Sequence, residues 1–99
     1  MEPLVIGLSD PGDPAWTEVA SVDEIEPHAR AGRTVVVTPS ALAPGADDEA
    51  GEIAAACVAA WLGARVFRTA RPHEVTVALR MTESLAGRRR PALTRRGLA

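Results

Sequence analysis

The chain has 99 residues, a formal net charge of −2 and an apolar fraction of 46%. This length predicts one domain with a single hydrophobic core, and the lone cysteine excludes an internal disulfide. The sequence has no basic leader before an apolar run and no segment of about 18 apolar residues, so we expect a cytoplasmic protein without a membrane span.

The first unit of the chain is a predicted strand followed by a short helix. The apolar run Leu4–Leu8 stops at a segment rich in Asp, Pro and Gly, which predicts a strand buried on both faces. A helix is predicted over about residues 23–31, because Asp23 and Glu26 have capping-box spacing. Pro27 should shorten or break this helix, since proline removes a helical hydrogen bond.

The second unit contains the clearest strand and the clearest helix. Every residue of Thr34–Thr38 is β-branched and a proline follows, which predicts a strand covered on both faces. After a loop at 40–46, the acidic residues Asp47–Glu49 stand where a helix dipole favours negative charge. The Ala-rich helix that they begin is predicted to run to Leu62 and to stop at Gly63.

The third unit completes the predicted domain. Arg65–Thr69 is the third strand, and Pro72 suits the first position of a final helix that ends at Gly87. We therefore place one α/β domain at residues 1–87. Residues 88–99 carry five arginines and are predicted to form a basic, disordered tail.

Three strands and three helices alternate in the predicted βαβαβα order. Short connections in this order indicate right-handed crossovers and a parallel sheet. Three strands leave two exposed sheet edges, which favour pairing with a second copy or another partner. We expect a homodimer, formed through helices or strand edges.

Charge is distributed unevenly along the chain. Residues 1–64 hold 11 acidic residues and two arginines, whereas residues 65–99 hold nine arginines and two glutamates. The arginine-rich tail could neutralise nucleic-acid phosphates. It could equally fold onto the acidic part of the same or a second subunit, and the sequence has no aromatic stacking platform. Nucleic acid is therefore the least favoured partner.

The carboxyl ends of the predicted strands are where a parallel sheet would bind a ligand. Asp10 and Asp13 lie there and could act as paired carboxylates, although such Asp-Pro-Gly sequences more often form turns. Ser40 has no nearby histidine to activate it as a nucleophile. His28 and His73 have no partners at metal-ligand spacing, so we expect neither a metal nor another cofactor.

Several segments together resemble one known family. They are the first strand with its Asp-Pro-Gly turn at 10–12, the strand entry at 31–37, the Ala-rich helix 54–62 with its tryptophan, the last strand at 63–68, the helix start at 73–75 and the closing stretch 91–99. In this order they resemble the C-terminal part of dihydropteroate synthase, the pterin-binding (β/α)8-barrel enzyme of folate synthesis. The resemblance implies the last three strand–helix units of such a barrel.

The resemblance also implies a ligand site. In that family the turn aspartate and an Arg-x-His pair on the last strand help to bind the pterin and the pyrophosphate, so Asp10, Arg68 and His73 are the candidate ligand-binding residues. Thr38-Pro39-Ser40 stands where the family has a Ser-Arg-Lys motif, and His73 follows Arg68 by five residues instead of two. The first part of the barrel has no counterpart. Because barrel catalysis needs groups from several strand ends, we expect no turnover by this chain alone.

Three functions remain open at this point. The favoured one is a non-catalytic, dihydropteroate synthase-like module for interaction or small-molecule binding, which is homodimeric or associates with a larger synthase-like protein. The second is half of a pterin- or anion-binding site, built on Asp10 and Arg68 and completed by a partner chain. The third is nucleic-acid binding through the arginine-rich tail.

Overall fold

The structure is a computed structural model that describes residues 2–88. It contains four strands and three α-helices: β1 (Leu4–Ile6), β2 (Thr17–Glu18), α1 (Ile25–Arg30), β3 (Val35–Val37), α2 (Glu49–Leu62), β4 (Val66–Arg68) and α3 (Pro72–Leu85). One-turn 3-10 helices precede α1 (Val22–Glu24) and follow β3 (Pro39–Ala41). All neighbouring strands pair in parallel, so the predicted α/β class with a parallel sheet is confirmed.

The sheet has a fourth strand that the sequence analysis missed. β2 pairs with the edge of β3, where the Thr17 N–H donates to Thr34 O at 2.8 Å and the Val19 N–H donates to Val36 O at 3.0 Å. The prediction of three strands was therefore wrong. β2 was missed because a strand of two residues is too short to show an apolar pattern.

The strand order is β1-β4-β3-β2, with β4 inserted between β1 and β3. Strands that follow one another in a (β/α)8 barrel are neighbours, so the implied barrel segment would place β3 beside β1. The observed order therefore differs from that of three consecutive barrel units.

The hydrophobic core lies between one face of the sheet and a single layer of helices. The strands contribute Val5, Val35, Val37 and Phe67. The helices contribute Ile25 from α1, Ala56, Ala59 and Ala60 from α2, and Val75 and Leu79 from α3. All three helices share this core, and the alanines bring α2 close to the strands.

The opposite face of the sheet carries no helix among residues 2–88. Its register places Glu18, Val36 and Val66 side by side, and Arg68 follows two residues after Val66. Val36 and Val66 are nevertheless fully buried. The segment between β1 and β2 passes over this face, since a Cβ at Gly12 would lie 2.9 Å from Arg68 Nη2.

The start of α1 differs from its prediction. Asp23 and Glu26 form no capping box; instead Ser21 Oγ accepts a hydrogen bond from the Asp23 N–H at 3.2 Å. Pro27 is the third residue of α1, within the first turn, where its missing N–H is tolerated.

The other end of the chain holds one arginine in the folded domain. Arg88, which the sequence analysis assigned to the tail, contacts Glu83 and the Ala60 carbonyl. The predicted tail beyond Arg88 lies outside the described residues. In the described part of the chain, no helix is both long and apolar enough to cross a bilayer.

Candidate functional site

The loops after β1 and β4 leave the sheet in opposite directions. After β1 the chain crosses the face without helices, whereas after β4 it enters α3 on the helix-covered face. Neighbouring strands with this property open a crevice beyond their carboxyl ends, which is where open α/β sheets bind ligands. The topology therefore directs attention to the carboxyl ends of β1 and β4.

A shallow cavity of about 460 Å³ opens at this position. Its lining residues come from the loops after β1, β3 and β4 and from the start of α2: Leu8, Ser40, Asp47, Glu52, Ala70 and Arg71. We refer to it as the carboxyl-end cavity.

A buried carboxylate forms the floor of the carboxyl-end cavity. Glu52 of α2 is 2% exposed and accepts a hydrogen bond from the Thr69 hydroxyl and one from Arg71 Nη1 at 2.6 Å. The Thr69 hydroxyl also accepts from the Arg71 N–H at 2.9 Å, which fixes the backbone at the end of β4. A buried carboxylate with such partners holds the Arg71 guanidinium in one orientation.

Arg71 lines the carboxyl-end cavity and has guanidinium donors that the described residues do not use. Nη1 is used by Glu52 and lies 3.4 Å from the Asp47 carbonyl oxygen. Nε and Nη2 form no hydrogen bond to any of residues 2–88, and the side chain is 35% exposed. These two donors form the edge that arginine uses for two-point contacts with carboxylate or phosphate groups.

Two of the candidate residues named by the resemblance lie together: Arg68 at the end of β4 and Asp10 in the loop after β1. Arg68 Nη1 donates to the Asp10 carbonyl oxygen at 2.6 Å, while Nε and Nη2 bind the Glu18 carboxylate at 3.2 and 3.0 Å. The Asp10 carboxylate accepts from the Gly7 N–H at 2.7 Å. These contacts tie the loop to β4, β4 to the edge strand β2, and the two ends of the turn at 7–10 to each other.

The remaining candidate residues are spread over the surface. His73 is exposed in the first turn of α3. His28 Nδ1 lies 2.9 Å from Arg33 Nη1. Asp13 accepts from the Ala15 N–H at 2.8 Å, as in an Asx turn, so the turn interpretation describes this residue. Ser40 lines the carboxyl-end cavity, and no histidine is among the lining residues.

A second charged cluster lies near the opposite end of the sheet, where a cavity of about 510 Å³ is lined by residues including Arg65, Glu83 and Arg88. Both arginines bind Glu83, and both also donate to the carbonyl of Ala60 in the last turn of α2. Burial acts to raise the pKa of Glu83, but the hydrogen bonds from the two arginines outweigh it and lower the pKa to about 2. The charged groups satisfy one another and cap α2, so we assign this cluster to stability.

No group of three or more His, Cys, Asp or Glu side chains that could hold a metal ion occurs among residues 2–88. No protein-family model, curated protein or solved structure matches the chain.

Sequence reasoning missed Glu52 and Arg71. The signal for Glu52 was its spacing: it lies four and eight residues before Ala56 and Ala60, on the buried face of α2. A carboxylate on a core-facing stripe requires a partner, and the arginines near the end of the next strand were the available ones.

Proposed function

We propose that this protein is a non-catalytic interaction module that forms a homodimer through α2 and α3. The observation that carries the proposal is an exposed apolar surface on these two helices, which we call the α2–α3 surface. It consists of Val58, Trp61, Val77, Met81 and Leu85. In a small domain with so few large apolar residues, their concentration on one surface favours a docking function.

The members of the α2–α3 surface are neighbours in space. Cys57 Sγ lies 4.0 Å from Ala78 O, which puts the middle of α2 against the middle of α3. Trp61 follows Cys57 by one turn, and Met81 and Leu85 follow Ala78 by one and two turns. Trp61, Met81 and Leu85 are 58%, 65% and 79% exposed. Large apolar side chains therefore lie along the solvent side of the groove between α2 and α3.

A second copy is the occupant that this surface fits. Two helices packed side by side can meet their own copy across a twofold axis and form a four-helix layer. The exposed members are Trp, Met, Leu and Val, and aromatic and methionine side chains are enriched in interfaces. The resemblance to the last helices of a dihydropteroate synthase is compatible with this role and requires no catalytic residue.

The test is the solution mass of the full chain at low micromolar concentration. We expect a dimer for the wild type and a monomer for Met81→Glu, because a charge at the centre of an apolar interface is costly to bury. Ala31→Glu is the matched control: residue 31 is exposed just after α1 and outside the α2–α3 surface, so this variant should stay dimeric. A folded, monomeric wild type would refute the proposal.

A pterin- or anion-binding half-site is the second proposal, and the observation that favours it is that Asp10 and Arg68 lie together beyond the carboxyl ends of β1 and β4. A ligand there would have to displace Glu18 from the arginine. Calorimetry with a pterin and with pyrophosphate tests this proposal. Saturable binding to the wild type that is lost in Asp10→Ala, a variant in which Glu18 is unchanged, supports the half-site. Unchanged binding in Asp10→Ala, or none in the wild type, contradicts it.

A further inference from the structure

We propose that the carboxyl-end cavity binds a small amino-acid-like zwitterion, whose carboxylate is held by Arg71 and whose ammonium group is held near Asp47. This binding site is separate from the α2–α3 surface. Its failure or success is therefore independent of the homodimer.

The Arg71 side chain is held in place by its partners. Glu52 is 2% exposed and uses one oxygen for Arg71 Nη1, while Thr69 donates to the other. Because Glu52 is buried, its ion pair with Arg71 is screened less than a surface pair and holds the guanidinium in place. Here the buried pair leaves Nε and Nη2 with no partner among residues 2–88.

The unused donors of Arg71 suit a carboxylate. Nε and Nη2 of one arginine match the two oxygens of a carboxylate, as the contact between Arg68 and Glu18 shows in the same protein. The cavity of about 460 Å³ is large enough for a small molecule but not for a protein segment with its own fold.

The charge of the lining favours a zwitterion over a dianion. The cavity is lined by one cation, Arg71, and by two carboxylates, Glu52 and Asp47. A phosphate dianion would add two negative charges to a site that already carries a net negative charge. A single carboxylate with an attached ammonium group adds no net charge, and the ammonium is attracted to the exposed Asp47 side chain.

Part of the cavity wall is apolar. Leu8 is 49% exposed, and Ala70 lies beside Arg71 in the lining. An aliphatic side chain on the ligand would cover Leu8 and gain burial energy. Ser40 supplies a hydroxyl from the third loop. Leucine has a carboxylate, an ammonium group and an aliphatic side chain, and is therefore a suitable probe.

The experiment is an NMR titration of the full chain with four small molecules, followed at the amides of Ser40, Ala70 and Arg71. L-leucine carries all the recognised groups, 4-methylpentanoate lacks the ammonium, 3-methylbutylamine lacks the carboxylate, and inorganic phosphate tests for a general anion site. We expect saturable shifts with L-leucine, weaker binding of 4-methylpentanoate, and no saturation with the amine or phosphate.

Variants separate the two halves of the site. Arg71→Lys keeps a cation for Glu52 but cannot make a two-point contact with a carboxylate. L-leucine should therefore bind at least ~10-fold more weakly, because this is the effect of losing one hydrogen bond to a charged group. Asp47→Asn should bring the affinity for L-leucine down to that for 4-methylpentanoate. Arg30→Gln, at an exposed site on α1, is the control and should change neither the affinity for L-leucine nor that for 4-methylpentanoate.

Four results would overturn the proposal, and three of them concern Arg71. They are an absence of saturable shifts with L-leucine at millimolar concentration, tighter binding of phosphate than of L-leucine, and equal binding of L-leucine by the wild type and a folded Arg71→Lys variant. Each contradicts the role given to the Arg71 edge. Equal binding of L-leucine and 4-methylpentanoate by the wild type contradicts the role of Asp47.

Discussion

Arg68 of β4 forms a two-point ion pair with Glu18 of β2 across the face of the sheet that carries no helix. Since β3 lies between these two strands, the arginine side chain must pass over β3, where Val36 is fully buried. The aliphatic part of arginine can cover apolar surface while its charged end is solvated or paired. Arg68 therefore both covers the sheet and ties its edge strand to the centre.

This arrangement predicts that Arg68 stabilises the protein more by covering the sheet than by its ion pair with Glu18. Glu18→Gln should lower the free energy of unfolding by only ~0.5–1 kcal/mol, because the Glu18 side chain is 57% exposed. Arg68→Ala should lower it by roughly 2–3 kcal/mol, since it also uncovers Val36. Arg68→Met retains an apolar stem and should fall between them.

Urea denaturation of the three variants and the wild type measures these differences. Glu26→Gln, which removes a solvent-exposed ion pair with Arg30, is the control and should change stability by less than ~0.5 kcal/mol. If Arg68→Met is as unstable as Arg68→Ala, the covering role is wrong and the charge pair is what stabilises β2.

Glu83 should make the stability of the protein depend on pH in the acid range. Its side chain is only 4% exposed, and its pKa falls from 4.5 to about 2 because hydrogen bonds from Arg65 and Arg88 outweigh the effect of burial. A carboxyl whose pKa is lowered on folding stabilises the native state above the unfolded pKa. That contribution, on the order of 3 kcal/mol, is lost as the pH falls from about 4.5 to about 2.

The measurement is the free energy of unfolding of the wild type and of Glu83→Gln between pH 2 and 7. The variant should be ~3–5 kcal/mol less stable at neutral pH, because two arginines lose their buried partner. It should also show a smaller decrease in stability on acidification. Equal pH slopes in the two proteins would contradict the assignment of the lowered pKa to Glu83.

The parts of the fold that the sequence predicts are those with a strong local pattern. Thr34–Thr38 is β-branched throughout and contains β3, and the acidic start and glycine stop of α2 match its observed ends within two residues. β2 could not be found this way, because its two residues pair only when the finished edge of β3 is available. The sheet order escaped prediction for the same reason, since it depends on contacts between distant segments.

The candidate site was predictable in position but not in composition. The rule that ligands bind beyond the carboxyl ends of parallel strands selected the loops that contain Ser40 and Arg71. The resemblance directed attention to Asp10 and Arg68, which bind the Gly7 N–H and Glu18 in the structure. The side chain that organises the cavity, Glu52, comes from a helix, and only its tertiary partners reveal it.

Gly63 should be more sensitive to substitution than Gly32. Both end a helix at positive φ, 114° and 84°, so alanine is strained at either position by about 1 kcal/mol. A Cβ at Gly63 would also lie 2.7 Å from the Cβ of Ala29, whereas nothing lies within 4 Å at Gly32. Gly63→Ala should therefore lower the free energy of unfolding by ~1–3 kcal/mol more than Gly32→Ala does, as measured in urea. Similar values for the two would show that Ala29 can move aside.

The start of α2 offers a prediction in which helix propensity and packing have opposite signs. Alanine is favoured over glycine inside a helix by about 1 kcal/mol, so propensity alone predicts that Gly51→Ala stabilises the protein. A Cβ at Gly51, however, would lie 2.3 Å from the Gly45 carbonyl oxygen and 2.9 Å from Ala46 Cα. These are backbone atoms, which cannot turn away as a flexible side chain would.

We expect packing to prevail, with Gly51→Ala lowering the free energy of unfolding by ~1–3 kcal/mol. The neighbouring change Ala50→Gly, at an exposed position of the same turn, is the control for propensity and should be destabilising by no more than ~1 kcal/mol. Because Asp47 lies between the loop and the helix, Gly51→Ala should also shift the amide signals around the carboxyl-end cavity. A stabilised Gly51→Ala with unshifted signals would mean that the loop before α2 can withdraw freely, and that α2 is not held against it.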